Sequence, residues 1–357
     1  MPVQGFTRAR KHQFGRESDF GTVVAATRAY PFSGVPSVNL NWTDPDVDTG
    51  SIVKTVEPFR GPSDLTAPLT DPALAYNNIP LLMAAMFGGE ESPTTVGGTC
   101  KRWTHKPAAV SPLDPQDTFT YEFGDDVLTD WFQLGGGILE SLTITGPEGL
   151  GALSVAQAWR FASAASTGST DSPVVGTVPT PSLDVDTNPT YVYMKDLGIY
   201  IGDNEAGVAQ ILDALHNFTL TITKAVDQKR YANADQSFDI DAYGITGYDV
   251  ALAATFAKTD DTVGTGSEAD AWFSDSAVNR FIRLQATSTE DAGTSHPYKW
   301  TLNFPAWYYT REDGESGGNT TVTLTANAYY EPDTFAGFFE SIADTTLSEA
   351  ELGTFTS

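Results

Sequence analysis

The sequence predicts a mainly β protein made of two antiparallel β-sandwich modules that repeat one order of elements. Three observations predict this. Apolar and polar side chains alternate with a period of two over much of the chain, helical runs are few and short, and one Ser/Thr/Pro-rich segment splits the sequence near its middle.

Taken in order, strands are predicted at Ser37–Trp42, Thr118–Phe123, Leu139–Thr145, Leu153–Phe161, Tyr191–Ile201 and Phe218–Thr223. The pattern is plainest late in the chain, where Tyr298, Trp300, Leu302 and Phe304 alternate with Lys299, Thr301 and Asn303. Val322, Leu324, Ala326 and Ala328 follow the same rule, and the polar, Gly-rich Arg311–Thr320 between these runs predicts a hairpin loop. Gly135-Gly136-Gly137 predicts a turn or bulge. One helix is predicted at Pro80–Phe87, with Asn78 to cap it, Pro80 in its first turn and Gly88-Gly89 to stop it. Further helices are predicted at Glu205–Leu215, at Ser267–Gln285 (Ala271, Phe273, Val278, Phe281 and Leu284 buried) and at Phe335–Ile342.

Residues 165–189 have the composition of a linker. The chain then divides into an N-terminal arm (1–20), a first β module (21–164), the linker, a second β module (190–343) and a C-terminal tail (344–357). Each module reads as strand, long polar loop, short flanking helix, tryptophan-bearing strand and closing hairpin. In the first these are Val38–Trp42, 44–62, Pro80–Phe87, the strand near Trp103 and a hairpin ending at Ala156–Trp159. In the second they are Phe218–Ile222, 226–237, Ser267–Gln285, the strand near Trp300 and a hairpin ending at Ala326–Tyr329, with Tyr248–Phe256 as an extra apolar run. A tandem duplication is expected.

Charge narrows the function classes. The chain has 46 acidic and 20 basic residues, a formal net charge of -26. Such a surface lacks the Lys/Arg excess that replaces counterions on nucleic acid, and it is repelled by anionic membranes. Bases are scarce and Lys is the minority among them, a balance that suits high salt, where screening shortens repulsion to a few ångströms. Cys100 is the only cysteine, so no disulfide forms within the chain. The first 17 residues carry bases with no apolar run behind them, so neither a signal peptide nor a membrane anchor is expected.

Tests for chemistry return little. Gly314-Glu315-Ser316-Gly317-Gly318 fits the GxSxG pattern, but a hydrolase needs that Ser between a strand and a helix with a His after it, and no His follows His296. Asp44, Asp46 and Asp48 begin like a calcium loop, yet its sixth and twelfth positions are Thr49 and Thr55. Asp184 and Asp186 form another acidic loop pair. His12, His105, His216 and His296 show no paired spacing. No catalytic, cofactor or metal residue is assigned, and a protein that is not an enzyme is expected.

Four segments carry a family resemblance: Glu17–Val23 (ESDFGTV), Ile79–Gly89 (IPLLMAAMFGG), Gly136–Pro147 with Ala152–Trp159 (ALSVAQAW), and Trp300–Thr310 (WTLNFPAWYYT) with Thr321–Tyr330 (TVTLTANAYY). Together they resemble the tail tube (major tail) proteins of long-tailed bacterial and archaeal viruses. The resemblance implies a virion structural protein, made in the host cytoplasm, whose sandwich modules join edge to edge into rings that stack head to tail. It implies a ring of three duplicated subunits with pseudo-six-fold symmetry, or alternatively a hexamer. The implied partners are further copies of the chain, the tape-measure, tail terminator and tail-tip proteins, and DNA that slides through an acidic lumen without specific binding. The expected inter-ring contacts are Lys54, Phe59 and Arg60 in the first long loop and Lys229, Arg230 and Tyr231 in the second; Arg8, Arg10, Lys11 and Arg16 are expected to clasp a neighbour. The alternative is a carbohydrate- or surface-binding β-sandwich, a decoration protein or adhesin, using Trp42, Trp131 and Trp272 with the Asp-rich loops. An acidic glycosidase stands third.

Overall fold

Period-two alternation becomes antiparallel strands almost everywhere in a computed structural model of the chain, which describes residues 10–39, 41–43, 59–62, 64–88, 93–107, 117–125, 130–164, 183, 185–211, 215–230, 240, 242–258, 279–316, 318–332, 335 and 337–352. The first half contributes β1 (Arg10–Arg16), β2 (Arg28–Tyr30), β3 (Ser33–Gly34), β4 (Ser37–Asn39), β5 (Trp42–Thr43), β6 (Phe59–Arg60) and β7 (Asp64–Asp71). Helix α1 (Ile79–Phe87) follows, then β8 (Thr94–Gly97), β9 (Cys100–His105), β10 (Phe119–Asp125), β11 (Asp130–Gly146), β12 (Ser154–Phe161) and β13 (Ser163–Ala164). The second half contributes β14 (Leu197–Gly202), β15 (Ala209–Ile211), β16 (Leu215–Lys229), β17 (Ala242–Ala257), β18 (Asn279–Gly293), β19 (His296–Ser316), β20 (Asn319–Ala328), β21 (Glu340–Thr345) and helix α2 (Glu349–Leu352).

Strand order recurs between the halves. The first half pairs β2–β1–β10 onto the early part of β11, whose later part continues to β12, β7 and then β3 and β4. The second pairs β15–β14–β18 onto the early part of β19, whose later part continues to β20, β17 and β16. Even the short strand after each closing hairpin returns to the same place, β13 on β11 and β21 on β19. Both long strands change partners midway and slip register there, between Leu139 and Ser141 and between Tyr308 and Thr310. A bulge adds one residue and bends the strand, which lets one strand serve two sheets. The halves are fused by β11 pairing with β16. The second half also carries β9 and β8 beyond β21.

One apolar core runs through both halves. In the first it is aromatic: the Phe14 ring lies 4.7 Å from Trp159 and 4.8 Å from Tyr121, which is 5.5 Å from Phe161. Each such fully buried ring is worth about 1.5–3 kcal/mol over leaving it in water. Every residue of α1 is buried, which explains an apolar run with no polar stripe. Asn78 does not cap the helix with its side chain; its amide donates instead to Asp71 Oδ2 at 3.1 Å. Gly136 has φ +63, and a Cβ there would lie 2.5 Å from the Ala162 Cβ, so the triple glycine marks a bend that only glycine fits.

Several sequence expectations need correction. The described part of Ser267–Gln285 is β18, where Ile282, Leu284 and Ala286 are buried in strand alternation; residues 259–278 lie outside the described residues. Glu205–Leu215 is one 3-10 turn at Glu205–Gly207 followed by β15, and the end of Phe335–Ile342 is β21. Tyr191–Ile201 is interrupted by a 3-10 turn at Met194–Asp196. Arg311–Thr320 is not a long loop: strand pairing runs as far as Ser316 opposite Asn319, and Gly318 just before Asn319 has φ +84. The arm predicted for 1–20 contains β1, held between β2 and β10. The tail from 344 is packed as far as Leu352, which is buried, and Trp103 Nε1 donates to the Leu347 carbonyl at 3.1 Å. Of the predicted linker, residues 165–182 and 184 lie outside the described residues.

Candidate assembly surfaces

Two kinds of strand edge stand out: one that the chain covers by itself and two that have no second strand beside them among the described residues. The closed one is the β11–β16 junction, where Ser141, Leu142, Thr143, Ile144, Thr145 and Gly146 face Thr223, Ile222, Thr221, Leu220, Thr219 and Phe218. Leu142, Ile144, Leu220, Ile222 and Phe218 are all buried. Lys224, the next residue along β16, is buried too, and its Nζ donates to the Ala85 carbonyl of α1 at 2.8 Å. Burial pulls the Lys224 ammonium down to about 7, with Glu140 and Asp117 opposing. Glu140 itself accepts from Arg160 Nε at 2.5 Å, and Arg160 NH1 reaches Asp64 Oδ1 at 2.5 Å, tying β11, β12 and β7 together.

The open edges lie at the two ends of the same run of strands. Beyond Trp307, β19 pairs with β20 on one side and, among the described residues, with no strand on the other. Its exposed residues there are Glu312, Asp313, Gly314 and Glu315. Asp313 lies 3.1 Å from Lys258 Nζ and 3.3 Å from Arg311, and the Lys258 hydrogen bond holds its carboxyl below the usual range. At the hairpin tip, Ser316 Oγ donates to Glu148 Oε1 at 2.8 Å. At the other end β3 and β4 pair only with β7 among the described residues, leaving Ser33, Val35, Ser37 and Asn39 exposed. Trp307 and Tyr309 are exposed beside the acidic edge, their rings 5.9 Å apart.

The predicted contact residues fall as follows. Phe59 and Arg60 form β6, paired with Thr43 and Trp42. Lys229 ends β16 in an ion pair with Asp227, and Arg230 follows it, exposed. Lys54, Tyr231 and Arg8 lie outside the described residues. The segments holding the two loop sets have one position in the repeat, each between two antiparallel strands that pair with each other: β4 to β7, and β16 to β17. In the predicted arm, Arg10 lies 5.9 Å over the Phe123 ring, Lys11 is half-buried within β1, and Arg16 is buried against Asp117. Arg16 thus has an ion-pair partner within its own chain.

Sequence reasoning missed Glu17 as a structural node. Its carboxylate accepts from Thr118 Oγ1 at 2.7 Å, Thr120 Oγ1 at 2.9 Å, the Gly136 N–H at 2.8 Å and the Gly21 N–H at 3.0 Å. Glu followed four residues later by Gly was the available signal. The four histidines are dispersed: His12 bonds Tyr121 at 2.8 Å and is pulled down to about 4 by burial and by Arg10, while burial pulls His105 down to about 3. His216 sits 3.8 Å from Glu148, and His296 begins β19. Cys100 is buried. Ser316 of the GxSxG run sits on the tip of a hairpin. Asp44, Asp46, Asp48, Asp184 and Trp272 lie outside the described residues, and Asp186 accepts the Asn188 N–H at 3.0 Å in a local turn.

No family model matches this chain, and no curated protein matches it. Among solved structures it is similar to a chain described as the tail of an empty GTA particle computed with helical refinement and C6 symmetry. The identity is 15% and the TM-score 0.27, over 38% of this chain and 92% of that one. A TM-score of that size does not establish a shared fold.

Proposed function

We propose that this chain is a structural subunit that assembles with copies of itself into the stacked rings of a virion tail tube. The observation that carries the reading is the pairing pattern: one strand order occurs twice, and the two occurrences are fused through a sheet junction into one continuous run of antiparallel strands. A repeated unit whose two ends differ extends head to tail when one end meets the other on the next copy. Closing those ends into a ring removes the exposed backbone groups that otherwise drive uncontrolled pairing. Three chains would supply six similar units to a ring. The acidic composition fits a lumen through which DNA slides without sticking. The loops around Phe59–Arg60 and Lys229–Arg230 are assigned to contacts between rings, because their equivalent places in the repeat put them at equivalent places around a ring.

A second reading, a carbohydrate- or surface-binding sandwich, draws on the exposed Trp307–Tyr309 pair, whose rings offer a stacking platform for a sugar face. Negative-stain electron microscopy of the purified protein in low and in molar salt separates the two. Hollow tubes or stacked rings, with six lobes in three-fold averages, are expected. Dispersed monomers in both salts, together with binding to a glycan panel lost in Trp307→Ala, would overturn the tube reading in favour of the second.

A further inference from the structure

The run of strands from β7 through β12, β11, β16, β17 and β20 to the late part of β19 has two faces of opposite character. One is the core, where Leu69, Leu142, Leu220, Leu252 and Leu324 are buried. Helix α1 lies behind that face, for Lys224 reaches the Ala85 carbonyl from it. The other face follows from the register. One row across it reads Ser154, Thr145, Thr219, Ala253, Thr325 and Thr310, each on the next strand of the run. The row beside it reads Thr70, Ala156, Thr143, Thr221, Ala251 and Asn327. None of these residues is buried, none is charged and none is longer than asparagine.

A soluble surface carries charge at roughly a quarter to a third of its positions, so two full rows without any are an exclusion. The hydroxyls of Thr143, Thr145, Thr219, Thr221 and Thr325 have no hydrogen-bond partner among the described residues, and none of the five has a contact elsewhere in the chain that would cover it. Charge returns at the margins of the two rows. Asp249 stands opposite Thr223, Glu312 opposite Thr323, Arg160 binds Glu140 and Asp64, and Glu148 lies past the hairpin tip. The second row ends on the exposed Trp307 of β19.

We propose that this uncharged, hydroxyl-bearing face is the lumen wall of the tube, the surface past which DNA moves. This deepens the self-assembly reading and rests on it. A sheet that closes into a ring crowds side chains on its concave face, which suits alanine, serine and threonine. The core face carries α1 and the buried leucines, and that bulk needs the larger circumference outside. The two rows hold no cation, so a passing phosphate finds no counterion to replace. Carboxylates at the margins, Asp249 and Glu148 among them, repel the duplex at both ends of the strands. The negative charge of the chain thus edges the wall and leaves its middle neutral.

The test uses full-length chains with one added cysteine, Thr143→Cys or Thr221→Cys, which lie on opposite sides of the β11–β16 junction. Each is assembled with an excess of unaltered chain. Cys100 is buried and stays in place, and the unaltered chain alone reports its background. Samples are labelled before and after assembly, with a small maleimide and with a maleimide carried on a folded protein too large to enter a tube. Dispersed chains should react with both. Tubes should still react with the small reagent, and with the large one at least about tenfold more slowly than dispersed chains do. Circular dichroism confirms folding, and Thr219→Cys replaces a variant that fails. Tubes that react with both reagents at the dispersed rate would put this face outside. Tubes that react with neither would put it in a contact between copies. Either result overturns the lumen assignment and leaves the tube reading standing. An unaltered chain that forms no rings or tubes in low or molar salt overturns the tube reading itself.

Discussion

The later parts of β11 and β19 hold the same place in the recurring strand order, and they differ in what the described residues place beside them. Along β11 the inward positions Leu142 and Ile144 meet Ile222 and Leu220 of the same chain and are buried. At the matching places β19 has Arg311 and Asp313, bound to each other at 3.3 Å, with no strand alongside among the described residues. A junction made once, during folding, can be dry and apolar. An edge that must stay soluble until a partner arrives is better served by charge, since a flat apolar edge pairs indiscriminately. The same backbone plan therefore carries two sequence solutions, one for permanence and one for restraint.

The largest effect expected from this contrast is on the closed junction. Ile222→Ala should destabilise the chain by about 3 kcal/mol, through lost burial and the cavity left behind, read as a shift in a denaturant midpoint at unchanged slope. Val35→Ala on the open edge should stay within about 0.5 kcal/mol. Equal losses at the two sites would erase the distinction between closed and open edges.

The buried ammonium beside the closed junction gives the next largest effect. Lys224 titrates near 7 in the folded chain against 10.5 for an ordinary lysine, so the unfolded chain binds the extra proton between those values. Stability then rises with pH from about 7 towards 10.5, and below 7 the charged lysine imposes a constant penalty. Lys224→Met should gain about 2 kcal/mol at pH 7 and lose that slope, after allowing for the Ala85 carbonyl left without its donor. Measurements from pH 7 to 9.5 keep clear of Tyr30, Tyr76, Tyr121 and Tyr243, which burial raises above the usual tyrosine range. Identical pH slopes in the two proteins would show that Lys224 is not the titrating group.

Making the open edge resemble the closed one is the complementary change. Arg311→Leu with Asp313→Ile restores at β19 the residue pattern of Leu142 and Ile144. It should lower the concentration at which assemblies appear in sedimentation by about tenfold, equivalent to ~1.4 kcal/mol. An unchanged threshold would mean that these charges do not restrain the edge.

How far the sequence alone reaches is clearest at particular residues. The helix at Ile79–Phe87 was legible because Pro80 and Gly88 bracket an apolar run too short to be anything but a buried turn or two. The strand through Trp300 and Phe304 was legible from its period. Phe281 and Leu284 misled, since their spacing of three fits a helix, while Ile282, Leu284 and Ala286 hold the two-residue period that the fold uses. Arg311–Ser316 misled for a physical reason: charges that guard an edge look like loop residues until the partner strand Asn319–Leu324 is seen beside them. The repeat was legible in outline, but two of its landmarks were mismatched. Trp103 lies on β9, which pairs with β21 in the second half, and the hairpin residue matched to Trp159 is Ala326, not Tyr329. The strand pairing across the β11–β16 junction was out of reach, because it joins segments as far apart as Ser141 and Thr223 and no local pattern announces which strand lies beside which.

The smallest expected effect isolates the hairpin tip. Glu148 is exposed on the turn after β11, and Ser316 at the end of the open edge leans across to it, so the acidic edge is held near its own first half. Glu148→Ala removes the acceptor. Because the contact lies on the rim, folding stability should fall by no more than about 0.7 kcal/mol. Assembly should respond differently, since an incoming strand no longer has to break this bond. The threshold concentration is expected to fall by about threefold, in line with the ~0.7 kcal/mol of a weak surface hydrogen bond. Removing one carboxylate also lessens general repulsion, so Glu349→Ala, a substitution of the same charge on α2 away from the edge, serves as the control. A fall seen equally in both variants would assign the effect to net charge; a fall confined to Glu148→Ala would assign it to the tip, and with it the idea that the second half keeps its own edge covered until a neighbour takes it.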